Sequence, residues 1–136
     1  MPILCRVTRG DLTESIHVVF AVAVDETGTV FYSTGDPYYL TCIRSSLKPF
    51  QAAAAVKAGA VDAAGFSDDE LAMMCASHSG EDIHVKTVQS MLNKLGLSTA
   101  DLECGSHFPS DKITRHKMIK EGKAAESIHN NCSGKH

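Results

Sequence analysis

The sequence lacks several features that would indicate a class of function at once. Its net charge is -3, which gives no electrostatic reason to expect nucleic acid or an anionic membrane as a partner. Its longest apolar run, Val18 to Val24, is far too short to cross a bilayer. No charged segment followed by an apolar core opens the chain, so no signal peptide is visible and the expected location is cytoplasmic.

Cysteine is present, but not in a spacing that identifies a metal or redox motif. The five cysteines are widely separated, and nothing resembles a zinc ribbon or a redox CxxC pair. In a reducing compartment most of them are expected to be free thiols. Cys132 stands apart from the other four because all its neighbours in the sequence are polar.

The first third of the chain has the pattern of β-strands. The predicted strands are Ile3 to Thr8, Ser15 to Val24 and Thr29 to Ser33. The middle one ends in a continuously apolar stretch, which is typical of a central strand covered on both faces. Asp25 to Gly28 forms a predicted turn before the third strand, so the sheet is expected to be antiparallel here.

The remainder has helical patterns. Ser67 and Glu70 form a capping box that predicts a helix to about Ala76. The next helix begins near Ser79, has an apolar stripe and ends at Gly96. The stripe consists of Val85, Val88, Met91, Leu92 and Leu95, and the other predicted helices span Pro49 to Lys57, Ser98 to Glu103 and Thr114 to Lys123. With 136 residues, 43% of them apolar, the chain predicts an α+β domain in which helices pack on an antiparallel sheet.

The first chemical motif is Ser45-Ser46-Leu47-Lys48, an SxxK arrangement. Pro49 is tolerated only in a first helical turn, so the motif is expected where a helix begins. Residues three apart share a helix face, which allows Lys48 to accept the proton of Ser45. The motif alone is weak evidence, because a serine at a helix start is usually only a cap.

Two further segments are rich in reactive side chains. Ala76 to Asp82 combines serines, a histidine and a glycine between two predicted helices, which suits either a ligand-binding loop or an ordinary helix connection. Asn130 to His136 places Cys132 three residues from Lys135. The residues alone leave three readings open for this cluster: a structural turn, a metal site and a catalytic thiol.

Four segments together resemble a known family, the rhizobial-type L-asparaginases. They occur in the family's order and cover nearly the whole chain, but only the N-terminal part of the family's usual length. The four segments are Arg44-Ser45-Ser46-Leu47-Lys48-Pro49-Phe50-Gln51, Ala76-Ser77-His78-Ser79-Gly80-Glu81, Cys104-Gly105-Ser106-His107-Phe108-Pro109 and Asn130-Asn131-Cys132-Ser133-Gly134-Lys135-His136.

The resemblance implies hydrolysis of L-asparagine to L-aspartate and ammonia. It implies a fold similar to that of serine β-lactamases and penicillin-binding proteins, and a homodimer. Ser45 would be the nucleophile, Lys48 its general base and Ser77 the second active-site serine. Substrate has charged amino and carboxyl groups, for which the candidate partners are Arg44, His78, Glu81 and Asn131.

The resemblance also implies a zinc ion with Cys132 and Lys135 as two of its ligands. The family's third ligand, a cysteine, and its second catalytic lysine lie further along the family sequence and have no counterpart here. Residues 1–136 are therefore expected to form either a single domain or the N-terminal fragment of an asparaginase domain. Two alternatives remain: another Ser–Lys acyl hydrolase of the β-lactamase or penicillin-binding type, and a non-catalytic zinc-binding fragment.

Overall fold

The computed structural model covers residues 1–136, which divide into two units, Met1–Cys42 and Ile43–His136. The first unit is built from strands and the second from helices, so the expected α+β composition is confirmed. None of the helices combines the length and the apolar character that crossing a membrane requires.

The first unit contains four strands in two separate antiparallel sheets. Strand β1 spans Ile3–Arg9 and pairs with β2, Leu12–Val19. Strand β3 spans Ala21–Val24 and pairs with β4, Val30–Thr34. The predicted antiparallel pairing is confirmed, but the single sheet is wrong, because β2 and β3 belong to different sheets.

The continuous strand predicted over Ser15 to Val24 is broken at Phe20. Its first half pairs backward with β1, so that Ile3 lies opposite Val19, and its second half pairs forward with β4. Each half uses its nearest neighbour in sequence, as most strands do. Neither half is covered on both faces as predicted. Exposed apolar side chains on these strands include Leu4, Ile16, Val18 and Val22.

The second unit contains five α-helices and three short 3-10 helices. The α-helices are α1 Lys48–Lys57, α2 Ala60–Ala63, α3 Asp68–Cys75, α4 Asp82–Leu95 and α5 Lys112–Lys120. The 3-10 helices are Arg44–Leu47, Thr99–Asp101 and Ser127–His129. The predicted helices are confirmed within a few residues, except that the one over Ser98 to Glu103 shortens to a single 3-10 turn, and α2 was not predicted.

Local sequence explains where α3 and α4 begin and end. The hydroxyl of Ser67 accepts the backbone N–H of Glu70, and the carboxylate of Glu70 accepts the N–H of Ser67, which completes the predicted capping box. Helix α4 ends at Gly96, which adopts the left-handed conformation. Helix α3 packs against both α1 and α4 and so joins the SxxK helix to the rest of the unit.

The core of the second unit forms where α3 and α4 meet the end of the chain. The predicted stripe on α4 supplies Val88, Met91 and Leu92, whereas Leu95 remains half-exposed. Ile128 lies in the same cluster, so the 3-10 helix Ser127–His129 is anchored to the core. This anchor fixes the starting point of the polar segment from 130 to 136. The buried cluster as a whole consists of Met73, Val88, Met91, Leu92, Leu102 and Ile128.

Candidate active site

Ser45 lies near the start of the helical unit, in the 3-10 helix that leads into α1. Its side chain is exposed, and its carbonyl oxygen accepts the backbone N–H of Lys48. Pro49 follows in the first turn of α1, where the missing N–H has no helical partner to lose. The SxxK motif therefore occupies a helix start, as its sequence predicts.

Arg44, immediately before Ser45, has an unusual backbone conformation. Its φ is 51°, and no other residue except glycine has a positive φ in this chain. A side chain in this left-handed region costs about 1–2 kcal/mol. Such a cost persists only where the surrounding structure fixes the backbone, and residues of this kind cluster at functional sites. The entry to Ser45 is therefore a constrained turn.

The amine of Lys48 is enclosed by three oxygen atoms. The side chain is 2% exposed. Its Nζ lies 2.9 Å from Oγ of Ser77 and 3.4 Å from the carbonyl oxygen of Asn131, and it also donates to the carbonyl of Ala76. Lys48 thereby joins the start of α1 to the loop after α3 and to the end of the chain. In this arrangement its amine bonds to Ser77 rather than to Ser45.

This enclosure accommodates both protonation states of the amine. An ammonium group has three N–H bonds, one for each of the three oxygens. A neutral amine keeps two N–H bonds for the carbonyls of Ala76 and Asn131 and accepts the hydroxyl proton of Ser77 on its lone pair. A proton can therefore pass between Lys48 and Ser77 while the surrounding backbone stays in place.

Ser45 and Lys48 line a cleft of about 340 Å³. Arg44 lines it from the same 3-10 helix, and Cys132 and Lys135 line it from the end of the chain. The bond between Lys48 and Asn131, which are 83 positions apart in sequence, joins these two parts of the chain beside the cleft. Most of the predicted site residues meet here.

A larger cleft of about 430 Å³ lies between α4, α5 and the segment 121–129. It contains neither Ser45 nor Cys132. The lysine and carboxylate side chains that line it are exposed, and Lys117 pairs with Asp82 at 3.9 Å. Ser45 and Lys48, the predicted nucleophile and base, line the smaller cleft and not this one.

His78 lies beneath the surface, and the protein occupies both of its ring nitrogens. The residue is 5% exposed. Its Nδ1 accepts the backbone N–H of Gly80 at 3.1 Å, and its Nε2 lies 2.8 Å from Oγ of Ser133. Burial, together with the positive charges of His84 and Lys48, lowers the pKa of His78 to about 4. The imidazole is therefore neutral at physiological pH, with no ring nitrogen left for a substrate.

The other predicted substrate contacts lie in different surroundings. Glu81 is exposed at the start of α4, accepts the hydroxyl of Ser79 at 2.7 Å and does not line the cleft. Asn131 is half-buried, and its backbone carries the contacts: its N–H donates to Nε2 of His107, and its carbonyl accepts the N–H of His78. Arg44 is the one predicted substrate contact that lines the cleft.

Cys132 and Lys135 belong to one tight turn. The N–H of Lys135 donates to the carbonyl of Cys132 at 3.0 Å, and the N–H of Cys132 donates to the side-chain oxygen of Asn130 at 2.9 Å. The side-chain amide of Asn130 donates in turn to the carbonyl of Gly105, which ties the segment 104–109 to this turn. Hydrogen bonds therefore hold the thiol and the amine at the mouth of the cleft.

The zinc site predicted at Cys132 and Lys135 can be compared with the donors that the chain brings together. Structural and catalytic zinc sites are usually four-coordinate, with three or four protein ligands. No group of three histidine, cysteine, aspartate or glutamate side chains in the chain is arranged to hold a metal. One thiol and one amine do not fit a complete site, so no chemical step is derived through zinc.

Two contributions to this site were missed in the sequence. Ser133 is 2% exposed and bonds to His78 across 55 positions, and the carbonyl of Ala76 helps to enclose Lys48. Neither pairing has a sequence signal, since both join loops that are far apart in the chain. The one available hint was that Ser133 lies inside the polar cluster 130–136.

Comparison with known proteins finds a family that the chain matches. A family model described as L-asparaginase II matches residues 5–136, which is nearly the entire chain. The matched range includes the first unit from residue 5 onward, the whole second unit and every residue of the cleft. A search of curated proteins finds no match to the chain.

Proposed function

The chain belongs to the L-asparaginase II family, and from that premise we propose that it hydrolyses L-asparagine by Ser–Lys nucleophilic catalysis. The family implies hydrolase activity with asparagine as the substrate. The observation that carries the mechanism is the enclosed amine of Lys48, 2.9 Å from the hydroxyl of Ser77 and in the same cleft as Ser45.

The first half of the reaction forms an acyl-enzyme. Oγ of Ser45 bonds to the side-chain amide carbon of asparagine, and its proton passes to the amine of Lys48. The proton reaches the amide nitrogen through the hydroxyl of Ser77, the carbon–nitrogen bond breaks, and ammonia leaves. What remains is an aspartyl ester on Ser45.

The second half returns the enzyme to its starting state. A water molecule attacks the ester carbon while Lys48 accepts its proton, and the bond to Oγ of Ser45 breaks to release aspartate. The proton then returns from Lys48 to Ser45. Both halves require an amine that gains and loses one proton, which the oxygens around Lys48 allow without rearrangement.

Arg44 is proposed to bind the α-carboxylate of asparagine. Its guanidinium is always charged and forms paired hydrogen bonds with carboxylates. It lines the cleft beside Ser45, whereas Glu81 does not. The side chains of Asn131 and Glu81 do not line the cleft. Asn131 stays a candidate contact for the substrate, and Glu81 a candidate partner for its α-amino group.

Zinc, fold similarity and assembly belong to the same proposal. Cys132 and Lys135 would provide two zinc ligands, and no group of three histidine, cysteine, aspartate or glutamate side chains in the chain completes the site. A fold similar to serine β-lactamases is supported by the α+β elements and by an SxxK motif at a helix start. A cytoplasmic homodimer completes the proposal.

Ammonia release from L-asparagine tests this proposal. The wild-type chain, with zinc present, is compared with Ser45→Ala and with Ser46→Ala, a matched control in the same 3-10 helix. We expect turnover in wild type and Ser46→Ala, and a loss of about 10³-fold or more in Ser45→Ala. Full turnover by Ser45→Ala, with complete loss in Cys132→Ser, would move the chemistry to the thiol.

The same assay separates the alternatives. A β-lactam hydrolysed faster than asparagine would indicate another Ser–Lys acyl hydrolase. Stoichiometric zinc bound by a folded chain that releases no ammonia would indicate a non-catalytic binding protein.

A further inference from the structure

The hydrogen bonds around His78 fix which atom donates and which accepts at each contact. The N–H of Gly80 donates to Nδ1, so Nδ1 carries no proton. The hydroxyl of Ser133 donates to the carbonyl of Ile128 at 3.0 Å, so it can only accept from His78. Nε2 must therefore carry the ring proton, an assignment that follows from the hydrogen-bond network. One neutral tautomer satisfies every group.

The buried residues His78 and Ser133 are each adjacent in sequence to a residue of the site. His78 follows Ser77 in the chain, and Ser133 follows Cys132. A backbone bond of 3.1 Å from the N–H of His78 to the carbonyl of Asn131 runs beside the side-chain bond. The same carbonyl accepts from Lys48. Two hydrogen bonds thus join the loop of Ser77 to the turn of Cys132. One of them shares its acceptor, the carbonyl of Asn131, with the amine of Lys48.

Close backbone contacts on both sides leave these loops little freedom. A Cβ atom at Gly80 would lie 3.0 Å from Cβ of Pro109 and 3.1 Å from the carbonyl oxygen of His129. A Cβ atom at Gly134 would lie 2.5 Å from Cγ of Met73 and 2.6 Å from its carbonyl oxygen. Glycine thus lets both loops lie flush against their neighbours, and the bond between His78 and Ser133 fixes their relative position.

We propose that His78 and Ser133 form a positioning pair that holds the hydroxyl of Ser77 against Lys48 and the thiol of Cys132 at the cleft. This inference deepens the proposed function and rests on it. His78 acts through its neighbours and does not contact the substrate. Its ring is a rigid link with one donor and one acceptor, and a displaced Ser77 would break the proton path.

Three variants and one control isolate the link. Ser133→Ala removes the acceptor of the ring proton. His78→Gln places an amide donor near the position of Nε2. His78→Asn places an oxygen near the position of Nδ1 and leaves the hydroxyl of Ser133 without the hydrogen bond that it accepts from His78. Ser127→Ala is the matched control, since its hydroxyl also donates to a backbone carbonyl, that of Thr99 at 2.8 Å, outside the cleft.

Activity is measured as kcat and KM for asparagine. We expect Ser133→Ala and His78→Asn to lower kcat about tenfold or more with little change in KM, because small displacements of catalytic groups have effects of this size. His78→Gln should retain more of kcat than His78→Asn. A purely structural pair would instead leave kcat of the folded fraction unchanged.

Two further readouts do not depend on activity. Nitrogen NMR of histidine-labelled wild type should show His78 neutral with its proton on Nε2. Peptide mass spectrometry should show faster alkylation of Cys132 in Ser133→Ala than in wild type, and no change in Ser127→Ala. The NMR measurement uses only the wild-type chain, so it tests the pair even if a variant fails to fold.

The outcomes distinguish this inference from the proposed function. Without any ammonia release from wild type the proposed function fails, and the tautomer and the alkylation rates still decide the pair. A proton on Nδ1, or equal alkylation of Cys132 in Ser133→Ala and Ser127→Ala, would overturn the positioning role. Normal kcat in a folded Ser133→Ala chain would do so as well.

Discussion

Replacing Glu70 by glutamine is expected to destabilise the helical unit in a strongly pH-dependent way. Glu70 is 3% exposed, and its carboxylate accepts from Lys94 at 2.6 Å and from the backbone N–H of Ser67 at 2.8 Å. The first contact joins α3 to α4, and the second begins α3. One carboxylate therefore serves both a helix start and a helix packing contact.

The pKa of Glu70 gives the magnitude. Burial alone would raise this pKa, but the bonds from Lys94 and Ser67 outweigh it and lower the pKa from 4.5 to about 2. One pKa unit corresponds to about 1.4 kcal/mol, so the ionised form stabilises the folded state by at most about 3.5 kcal/mol. Because the side chain of Lys94 is 35% exposed, screening reduces the expected value to about 2 kcal/mol.

The sign follows from the lowered pKa. The stabilisation is fully present above pH 4.5, the value in the unfolded chain, and is lost as pH falls through the folded value of about 2. Urea unfolding followed by circular dichroism at several pH values between 7 and 3 measures it. The difference between wild type and Glu70→Gln should shrink by more than half over this range.

A neighbouring carboxylate provides the control. Asp69 is exposed in the same turn of α3, and Asp69→Asn should change the free energy of unfolding by less than about 0.5 kcal/mol at every pH. A difference between wild type and Glu70→Gln that stays constant from pH 7 to 3 would refute the assignment of this pair.

Three further changes test other parts of the structure. Gly134→Ala should lower the free energy of unfolding by about 1–3 kcal/mol, because its Cβ would overlap Met73. Gly105→Ala, whose Cβ would meet no atom within 4 Å, should lower it far less, and thermal unfolding compares the two variants. Arg44→Gly should relieve the left-handed strain and raise the free energy of unfolding by up to about 1 kcal/mol. The same change should raise KM for asparagine, and an unchanged KM would exclude Arg44 from substrate binding. Lys48→Met should lower kcat about 10²-fold or more in a chain that still folds, and kcat within tenfold of wild type would contradict its role as base.

The local parts of this fold could be predicted from sequence. Ser67 and Glu70 are three residues apart, and Gly96 directly follows α4, so the residues that begin and end these helices lie inside them or next to them. The start of α1 at the SxxK motif is local in the same way, since Pro49 permits only a first turn. Such features depend on neighbours within one turn.

Long-range pairing could not be predicted in the same way. The apolar run from Ser15 to Val24 gives no sign that its halves belong to different sheets, because that depends on which strand each half pairs with. Similarly, the carbonyl of Asn131 meets Lys48 only after the end of the chain folds over the loop that follows α3. The motifs singled out Ser45 and Lys48 as candidates, but the oxygens around the amine of Lys48 became visible only in the structure.

The proposed role of Ser45 as nucleophile is tested most directly by locating the ester that forms during turnover. Wild-type chain is mixed with L-asparagine, quenched in acid and digested, and the peptides are analysed by mass spectrometry. We expect an aspartyl adduct on the peptide that contains Ser45, and none in Ser45→Ala. An adduct on Cys132 with Ser45 unmodified would assign the reaction to the thiol instead.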